Sequence, residues 1–443
     1  MAVMFSSDIA DIENRHPEIF RRSLLRRFLP LIICAGAVLY VAYCWWFFSI
    51  GAVIGEGQWQ RAGITARQWY SYEIRPTIRF SPGETRVSYP RFSVLGDNPD
   101  PNWVVRDGEN VRVTFGSSRF IDANREMVTV THGDETLQVR LAADGAKPVG
   151  ALPSWATLRE DEVRVDFGFS GDARILPERV SLNRRFFGWP NFVFDPGSPF
   201  WGKPFSEVAA MIVSGERIDP RMSNAALAFD NIWFNAQWQH GDVWVKLLQT
   251  IVMAFVGTLF ATLIAFPLAF VAARNITPSF FANQFTKRFF DFLRSVDMLI
   301  WALFFTRAFG PGPLAGISAI FFTDTGTLGK LYSEALENID DRQREGVKSV
   351  GASPVNIQRY GVVPQVMPVF LSQALYFWES NIRSATIIGA VGAGGIGLKL
   401  WEAMRTNSNW ANVAYMVLLI LIVVFVFDAI SNALRSRLIG ERR

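Results

Sequence analysis

The chain has 443 residues, 50% of them hydrophobic, and its 44 Lys and Arg against 40 Asp and Glu give a formal charge of +4. The mean hydropathy is positive, so a single soluble fold is possible but not favoured. The small net charge calls for no nucleic-acid partner, because the basic residues gather at the ends of apolar blocks. The two cysteines, Cys34 and Cys44, sit inside one such block and exclude a disulfide framework.

In chain order, residues 1–27 form a basic segment with Arg15, Arg21, Arg22, Arg26 and Arg27. The block 28–54 carries no charge and is long enough to cross a bilayer, so the first transmembrane helix is expected there. It is not read as a cleaved signal peptide, being longer than an h-region and followed by no nearby Ala-x-Ala site. Residues 55–242 form a polar, aromatic-rich insertion whose middle, about 85–185, reads as β structure. Val111/Val113/Phe115, Leu137/Val139/Leu141 and Val163/Val165/Phe167/Phe169 alternate with polar residues at period two. Gly133-Asp134, between Met127–Thr131 and Thr136–Leu141, reads as a hairpin turn, and a small sandwich or barrel is expected. From Phe186 to Phe205 the run of Trp189, Pro190, Pro196, Pro199, Trp201 and Pro204 disfavours compact helices. Ser206 is expected to cap a helix over Glu207–Val213. Trp233, Trp238 and Trp244 are expected to form an interfacial aromatic belt.

Residues 243–434 hold the remaining apolar blocks, at about 247–273, 289–309, 314–331, 366–391 and 413–427, for six spans in all. Basic residues follow a pattern around them: Arg274, Lys287 and Arg288 after the second span, Lys330, Arg342, Arg344, Lys348 and Arg359 after the fourth, and Arg435, Arg437, Arg442 and Arg443 around the tail, 435–443. With six spans, these and the N-terminal arginines all fall on one side, which places both termini in the cytoplasm and the insertion outside. The fold class is therefore an all-α polytopic membrane protein with an extracytoplasmic β-rich insertion domain.

Between the fourth and fifth spans lies a polar loop, about 334–365. Arg342 to Val350 are mostly good helix formers, and Gly351 stands where a helix C-terminus asks for positive φ. Ser353-Pro354 reads as an N-cap followed by proline in the first turn, and the second short helix is expected to stop before Pro364. The order Glu345-Gly346-Val347, Gly351, Val363-Pro364 resembles the loop by which permease subunits of binding-protein-dependent ABC importers grip their ATPase. That motif runs Glu-Ala-Ala, three residues, Gly, nine residues, Ile-x-Leu-Pro. Here Gly346 and Val347 replace the alanines, Gly361 the isoleucine and Val363 the leucine. The resemblance implies an ATPase-coupling role for Glu345, Gly346, Val347, Gly351, Ala352, Ser353, Pro354, Arg359 and Pro364. In it, Glu345 holds the geometry, Gly351 makes the corner and Ser353–Arg359 form the contacting helix.

After the fifth span comes a glycine run containing Gly392, Gly394, Gly395 and Gly397. Three readings stand: a G-x-G-x-x-G dinucleotide fingerprint, plain small-residue helix packing, or a broken segment lining a pathway. The first lacks a βαβ context, and we favour the third. Glu334–Asp340, the loop and Asn381–Gly397 together resemble the permease subunit of phosphonate ABC transporters over roughly residues 240–440. The resemblance implies a five-helix importer core, the first span being an additional N-terminal helix. It also implies a second permease subunit, identical or not, an ABC ATPase subunit holding ATP and Mg, and a periplasmic phosphonate-binding protein. The location implied is the bacterial inner (plasma) membrane.

Arg307 and Arg383 fall in spans three and five, where a guanidinium needs a partner or water. They are candidates for an anion route, against the alternative of pairing with Glu379, Asp297 or Asp428. Asp291, Arg294 and Asp297 read as structural. Asp324-Thr-Gly-Thr-Leu-Gly329-Lys330-Leu331 lacks the first glycine and final Ser/Thr of a P-loop, so the chain binds no cofactor of its own. His16, His132 and His240 have no metal-ligand spacing, and no metal or catalytic residue is assigned. The alternatives are a permease for another solute, such as phosphite or an amino acid, and a membrane-anchored sensor or assembly protein.

Overall fold

The computed structural model describes residues 24–440 except positions 58, 82–83, 91–92, 97–98, 100, 143–144 and 407–409. The expectations resting on Arg15, Arg21, Arg22, Arg442 and Arg443 lie outside the described residues. The chain divides into two units, 1–65 and 66–443. The first contains helices α1 (Leu24–Phe47) and α2 (Ile50–Gly55) and most of α3 (Trp59–Gln68). Residues 28–47 of α1 contain no acidic or basic side chain, and the helix is long and apolar enough to cross a membrane.

The second unit opens with two antiparallel sheets. One runs in the order Ala156–Arg159, Glu162–Asp166, Gly171–Leu176, Arg179–Phe187, Thr77–Ser81, Glu84–Ser88, with Ser71–Ile74 also paired to Arg179–Phe187. The other is a meander of Val104–Asp107, Asn110–Gly116, Arg119–Ala123, Met127–His132, Glu135–Ala142 and Gly145–Val149. Period-two alternation turns Val111, Val113, Ile121, Val128, Val130, Leu137 and Val139 inward. They meet Ile78, Val163, Val165, Ile175, Val180 and Leu182 from the first sheet in one apolar core. Burying each such side chain contributes roughly 1.5–3 kcal/mol. The strands reach beyond the expected 85–185 at both ends. Phe169, expected in a strand, lies instead in a short 3-10 turn, Gly168–Ser170, because Asp166 accepts the Gly168 amide (2.8 Å) and closes a tight turn there. Gly171 cannot carry a side chain, since a Cβ would lie 2.0 Å from the Asn183 carbonyl oxygen at a φ of +143°.

No compact helix forms over 188–204. Helix α4 (Phe205–Val213) follows, with Pro204 rather than Ser206 at its N-cap, because the extended Pro204 hands its carbonyl to the Val208 amide (3.1 Å). Helix α5 (Asn224–Trp233) leads to the helical half: α6 (His240–Ala272), α7 (Phe280–Ser295), α8 (Met298–Phe309), α9 (Pro313–Glu337), α10 (Asp341–Ser349), α11 (Pro354–Ile357), α12 (Val363–Ile388), α13 (Gly395–Thr406) and α14 (Trp410–Ile439). An aromatic plug joins the halves. Trp238 is fully buried against Trp189 and Phe192 rather than standing at an interface, and its Nε1 donates to the Pro190 carbonyl (2.9 Å). His240 Nε2 lies 2.6 Å from the Phe192 carbonyl, which can only accept, so Nδ1 receives the Tyr415 hydroxyl at 2.9 Å.

Among the described residues three helices are long and apolar enough to span, Phe28–Phe47, His240–Ala272 and Trp410–Leu438, or four if the bent pair Pro354–Ala393 and Gly395–Thr406 is one span. The block at 289–309 is not one helix. Val296 is extended and Asp297 caps α8 by accepting the Leu299 amide (2.8 Å), so the block splits between α7 and α8. In the bundle, Gly257, Ala261, Ala265 and Ala269 recur every fourth residue along α6 and let α9 approach closely, with Ile320, Leu328 and Tyr332 filling the gaps.

The first sheet is cross-linked by Glu73, which lies opposite Arg185 and accepts from its Nε and from Arg75 Nη2, both at 2.8 Å. Burial pushes the Glu73 carboxyl up, but the hydrogen bonds and charges of Arg185 and Arg75 outweigh it and hold the group below the usual carboxylate range. Its contribution is therefore complete above the ordinary glutamate value, about 4.3, and lost as pH falls through the lowered folded-state value. Glu73→Gln should lower stability at pH 7 by about 1.5–3 kcal/mol in chemical denaturation. The wild type and variant should converge in strongly acidic buffer.

Candidate functional site

The expected corner is present and local rules build it. Asp340 caps α10 by accepting the Arg342 amide (3.0 Å). The helix ends at Val350, and Gly351 turns the chain at φ +78°, its amide donating to the Lys348 carbonyl (3.0 Å). Ser353 then caps α11, receiving the Asn356 amide (3.4 Å), with Pro354 in the first turn. Contrary to expectation the helix does not stop before Pro364. It widens into a π turn over Gln358–Val362, in which the Val363 amide reaches the Gln358 carbonyl, and continues as α12. The wider turn accommodates a proline that supplies no donor and crowds the preceding turn.

Two contacts fix this corner. Gly361 lies against α10, where a Cβ would stand 3.4 Å from Arg344 Cα and 3.6 Å from a Val347 methyl. Arg344 Nη1 donates to the Asn275 carbonyl (3.2 Å), and Asn275 Nδ2 to the Leu336 carbonyl (2.8 Å), tying α10 to the turn after α6 and the end of α9. The tip is apolar and open: Val350 is 81% and Val355 74% exposed, and Arg359 stacks over the exposed Tyr360 at 5.5 Å. Ala352 is half-buried, and Ser353 and Pro354 are exposed. Glu345 and Gly346 are exposed on α10. Among the described residues Glu345 makes no ion pair, while Asp340, Arg344 and Ser353 supply the side-chain hydrogen bonds described above.

The glycine run is a second irregular element. Gly392 (φ +104°) breaks a π turn at the end of α12, and Gly394 (+85°) and Gly395 (+69°) continue in the left-handed region. Helix α13 leaves at 58° to the helix before it. Gly397 is required by proximity, since a Cβ would lie 1.9 Å from the Thr386 carbonyl oxygen. The Gly312 amide donates to Gly392 (2.9 Å) and the Ile396 amide to Thr250 Oγ1 (2.9 Å), so the run is held by the α8–α9 turn and by α6.

The two candidate arginines part company. Arg383 Nη2 pairs with Glu379 Oε1 at 2.8 Å, its guanidinium half exposed over a buried carboxylate. Arg307 is exposed near the end of α8 and has no ion pair among the described residues. Asp297 caps α8, and Asp291 joins Arg288, Arg294 and Lys330. Sequence reasoning missed a polar cluster in the bundle interior. Asn381 Nδ2 of α12 donates to Asp324 Oδ2 of α9 and to Thr258 Oγ1 of α6 (2.7 Å), and Thr258 also donates to that carboxylate (3.5 Å). All three are almost fully buried. The available signal was an aspartate inside an otherwise apolar helical block.

The family model described as "Binding-protein-dependent transport system inner membrane component" matches residues 265–440. A putative phosphite transport system permease protein of Stutzerimonas stutzeri is 37% identical over 195 residues, 44% of this chain and 69% of that protein. A phosphite transport system permease protein of the same organism is 38% identical over 44% of this chain and 70% of its own length. A putative cryptic phosphonate transport system permease protein of Escherichia coli (strain K12) is 48% identical over 27% of this chain and 98% of its own length. The residues matched by the family model begin after the β-rich insertion.

The glycines differ in what they do. Gly397→Ala should lower the thermal midpoint of the purified chain, its methyl overpacking Thr386 by about 1–3 kcal/mol or more. Gly346→Ala meets nothing within 4 Å inside a helix, so it should slow amide exchange in α10, in line with a gain of about 0.8–1 kcal/mol.

Proposed function

Because this chain belongs to the family of binding-protein-dependent transport system inner membrane components, we propose that it is the permease subunit of an ATP-driven ABC importer and carries phosphonate across the inner membrane by alternating access. The observation that carries the reading is the corner around Gly351. An apolar tip of Val350 and Val355, projected by two capped helices and anchored through Arg344 and Gly361, suits a socket on another protein. In this reading Glu345, Gly346, Val347 and Arg359 lie on the face that meets the ATPase, which supplies ATP and Mg. Closing of two ATPases draws the corners of two permease subunits together. Asn275, bonded to both Arg344 and Leu336, passes the movement to the ends of α6 and α9.

The run Gly392–Gly397 then acts as the gate, since its backbone occupies conformations that side chains would resist. Arg307 and Arg383 line the route for an anion, with Glu379 shielding Arg383 when the route is empty. Six spans with both termini cytoplasmic put the β-rich insertion outside, where a binding protein delivers the substrate. The relatives named for phosphite favour phosphite as a second substrate of the same route.

The test is uptake of radiolabelled phosphonate by cells depleted of this chain, with phosphite and phosphate as competitors. Uptake should vanish and return with the wild type. Gly351→Val should insert normally but reduce uptake by about tenfold or more, because a β-branched residue resists positive φ by roughly 1–2 kcal/mol; Gly351→Asn should restore it. Undiminished uptake in depleted cells, or with Gly351→Val, would overturn respectively the substrate assignment and the role of the corner.

A further inference from the structure

The core between the two sheets is apolar except at one end of Arg179–Phe187. There Val180, Leu182, Arg184 and Phe186 alternate onto the inner face, and the first two are buried. Arg184 thus enters where the period asks for an aliphatic side chain. Its guanidinium carbon lies 4.6 Å from the ring centres of both Trp103 and Phe186. Tyr72, opposite Phe186 in the ladder, stacks on that ring at 5.3 Å. Among the described residues no carboxylate pairs with Arg184, and its Nη1 is buried without a hydrogen-bond partner. Burial pushes its guanidinium down from the ordinary value, with Tyr72 opposing the shift.

Its neighbour shows what a satisfied guanidinium looks like in the same sheet. Arg185 faces the other way and donates to Glu73, Asp172 and the Gly168 carbonyl. The Trp103 and Phe186 rings, their centres 6.0 Å apart, flank the guanidinium on adjacent sides and do not sandwich it, and its N–H donors still require an acceptor. A buried donor group with none calls for an ion or water to complete it.

We propose that Arg184, Trp103, Phe186 and Tyr72 form a subsite for a small organic oxyanion of the phosphonate class. The guanidinium edge would take the phosphorus-bound oxygens through paired, charge-assisted hydrogen bonds, which a lysine cannot reproduce. The aromatic walls take the carbon substituent. The choice of phosphonate rests on the transport reading, while the site itself is separate from the gate and from the Gly351 corner. It gives the β-rich insertion a role in selecting the substrate.

The experiment is calorimetric titration of the purified full-length chain in lipid nanodiscs, without ATPase or binding protein. The probes are methylphosphonate, phosphite and acetate. Wild type should bind methylphosphonate saturably and more tightly than phosphite, with acetate weakest. Arg184→Met should weaken binding by about tenfold or more while melting no lower than wild type, because it removes a desolvated charge and keeps the apolar volume. Arg184→Lys should fall between. No saturable binding to wild type, equal binding to Arg184→Met, or acetate binding as tightly as methylphosphonate would each overturn the proposal. If uptake depends on the chain but Arg184→Met binds like wild type, the subsite fails and the transport reading stands. If depleted cells keep their uptake while binding requires Arg184, the transport reading fails and the subsite stands.

Discussion

Helix α9 can lie against its neighbours only because glycine stands where they press closest. A Cβ at Gly316 would come within 2.4 Å of the Met253 side chain, at Gly326 within 2.8 Å of α7 backbone, and at Gly329 within 2.3 Å of the Phe290 ring. In lipid there is little hydrophobic force between helices, so association rests on this closeness and on interhelical hydrogen bonds. The approach on α6 and α12 buries Thr258, Asp324 and Asn381, which must then satisfy one another. The same closeness reaches the glycine run, where Gly316 also faces Ala393 and Gly397 faces Thr386. The positions of the glycine run and of the Gly351 corner both follow from where α9 sits.

The β-rich insertion obeys a different balance. Its aliphatic core is held by burial from water, and its polar groups sort into two kinds. Glu73, Arg185 and Asp172 close on themselves and stitch neighbouring strands. Arg184, one residue away and turned inward, is left with aromatic faces and a buried, unmatched donor. Among the described residues the fold supplies three acceptors to Arg185 and no carboxylate to Arg184. The Trp238–His240–Tyr415 plug links this domain to the N-terminal parts of α6 and α14.

The corner shows local chemistry prevailing at one end and being overridden at the other. Gly351, Ser353 and Pro354 take the conformations their types demand, because caps and turns are settled within a few residues. Pro364 does not end its helix, because the following segment carries Val366 and Phe370 into the core around Tyr332 and a π turn absorbs the strain. Asp297 illustrates the reverse: apolarity over 289–309 indicated one span, yet a single side-chain cap splits it between α7 and α8.

The sequence by itself determined the helical and β-rich halves, the hairpin at Gly133, the Gly351 corner and the family, since periodicity, capping and motif spacing are properties of short windows. Tertiary structure decided the partners. Arg383 meets Glu379 four residues away on the same helix, a pairing local periodicity supplies; that Arg307 meets no carboxylate among the described residues, and that Glu345 faces outward, depends instead on how whole helices are rotated. So does the meeting of Asp324 with Asn381 and Thr258, residues far apart in the chain. Those rotations are set by close contacts at Gly257, Gly316 and Gly397, whose distances no window of sequence contains.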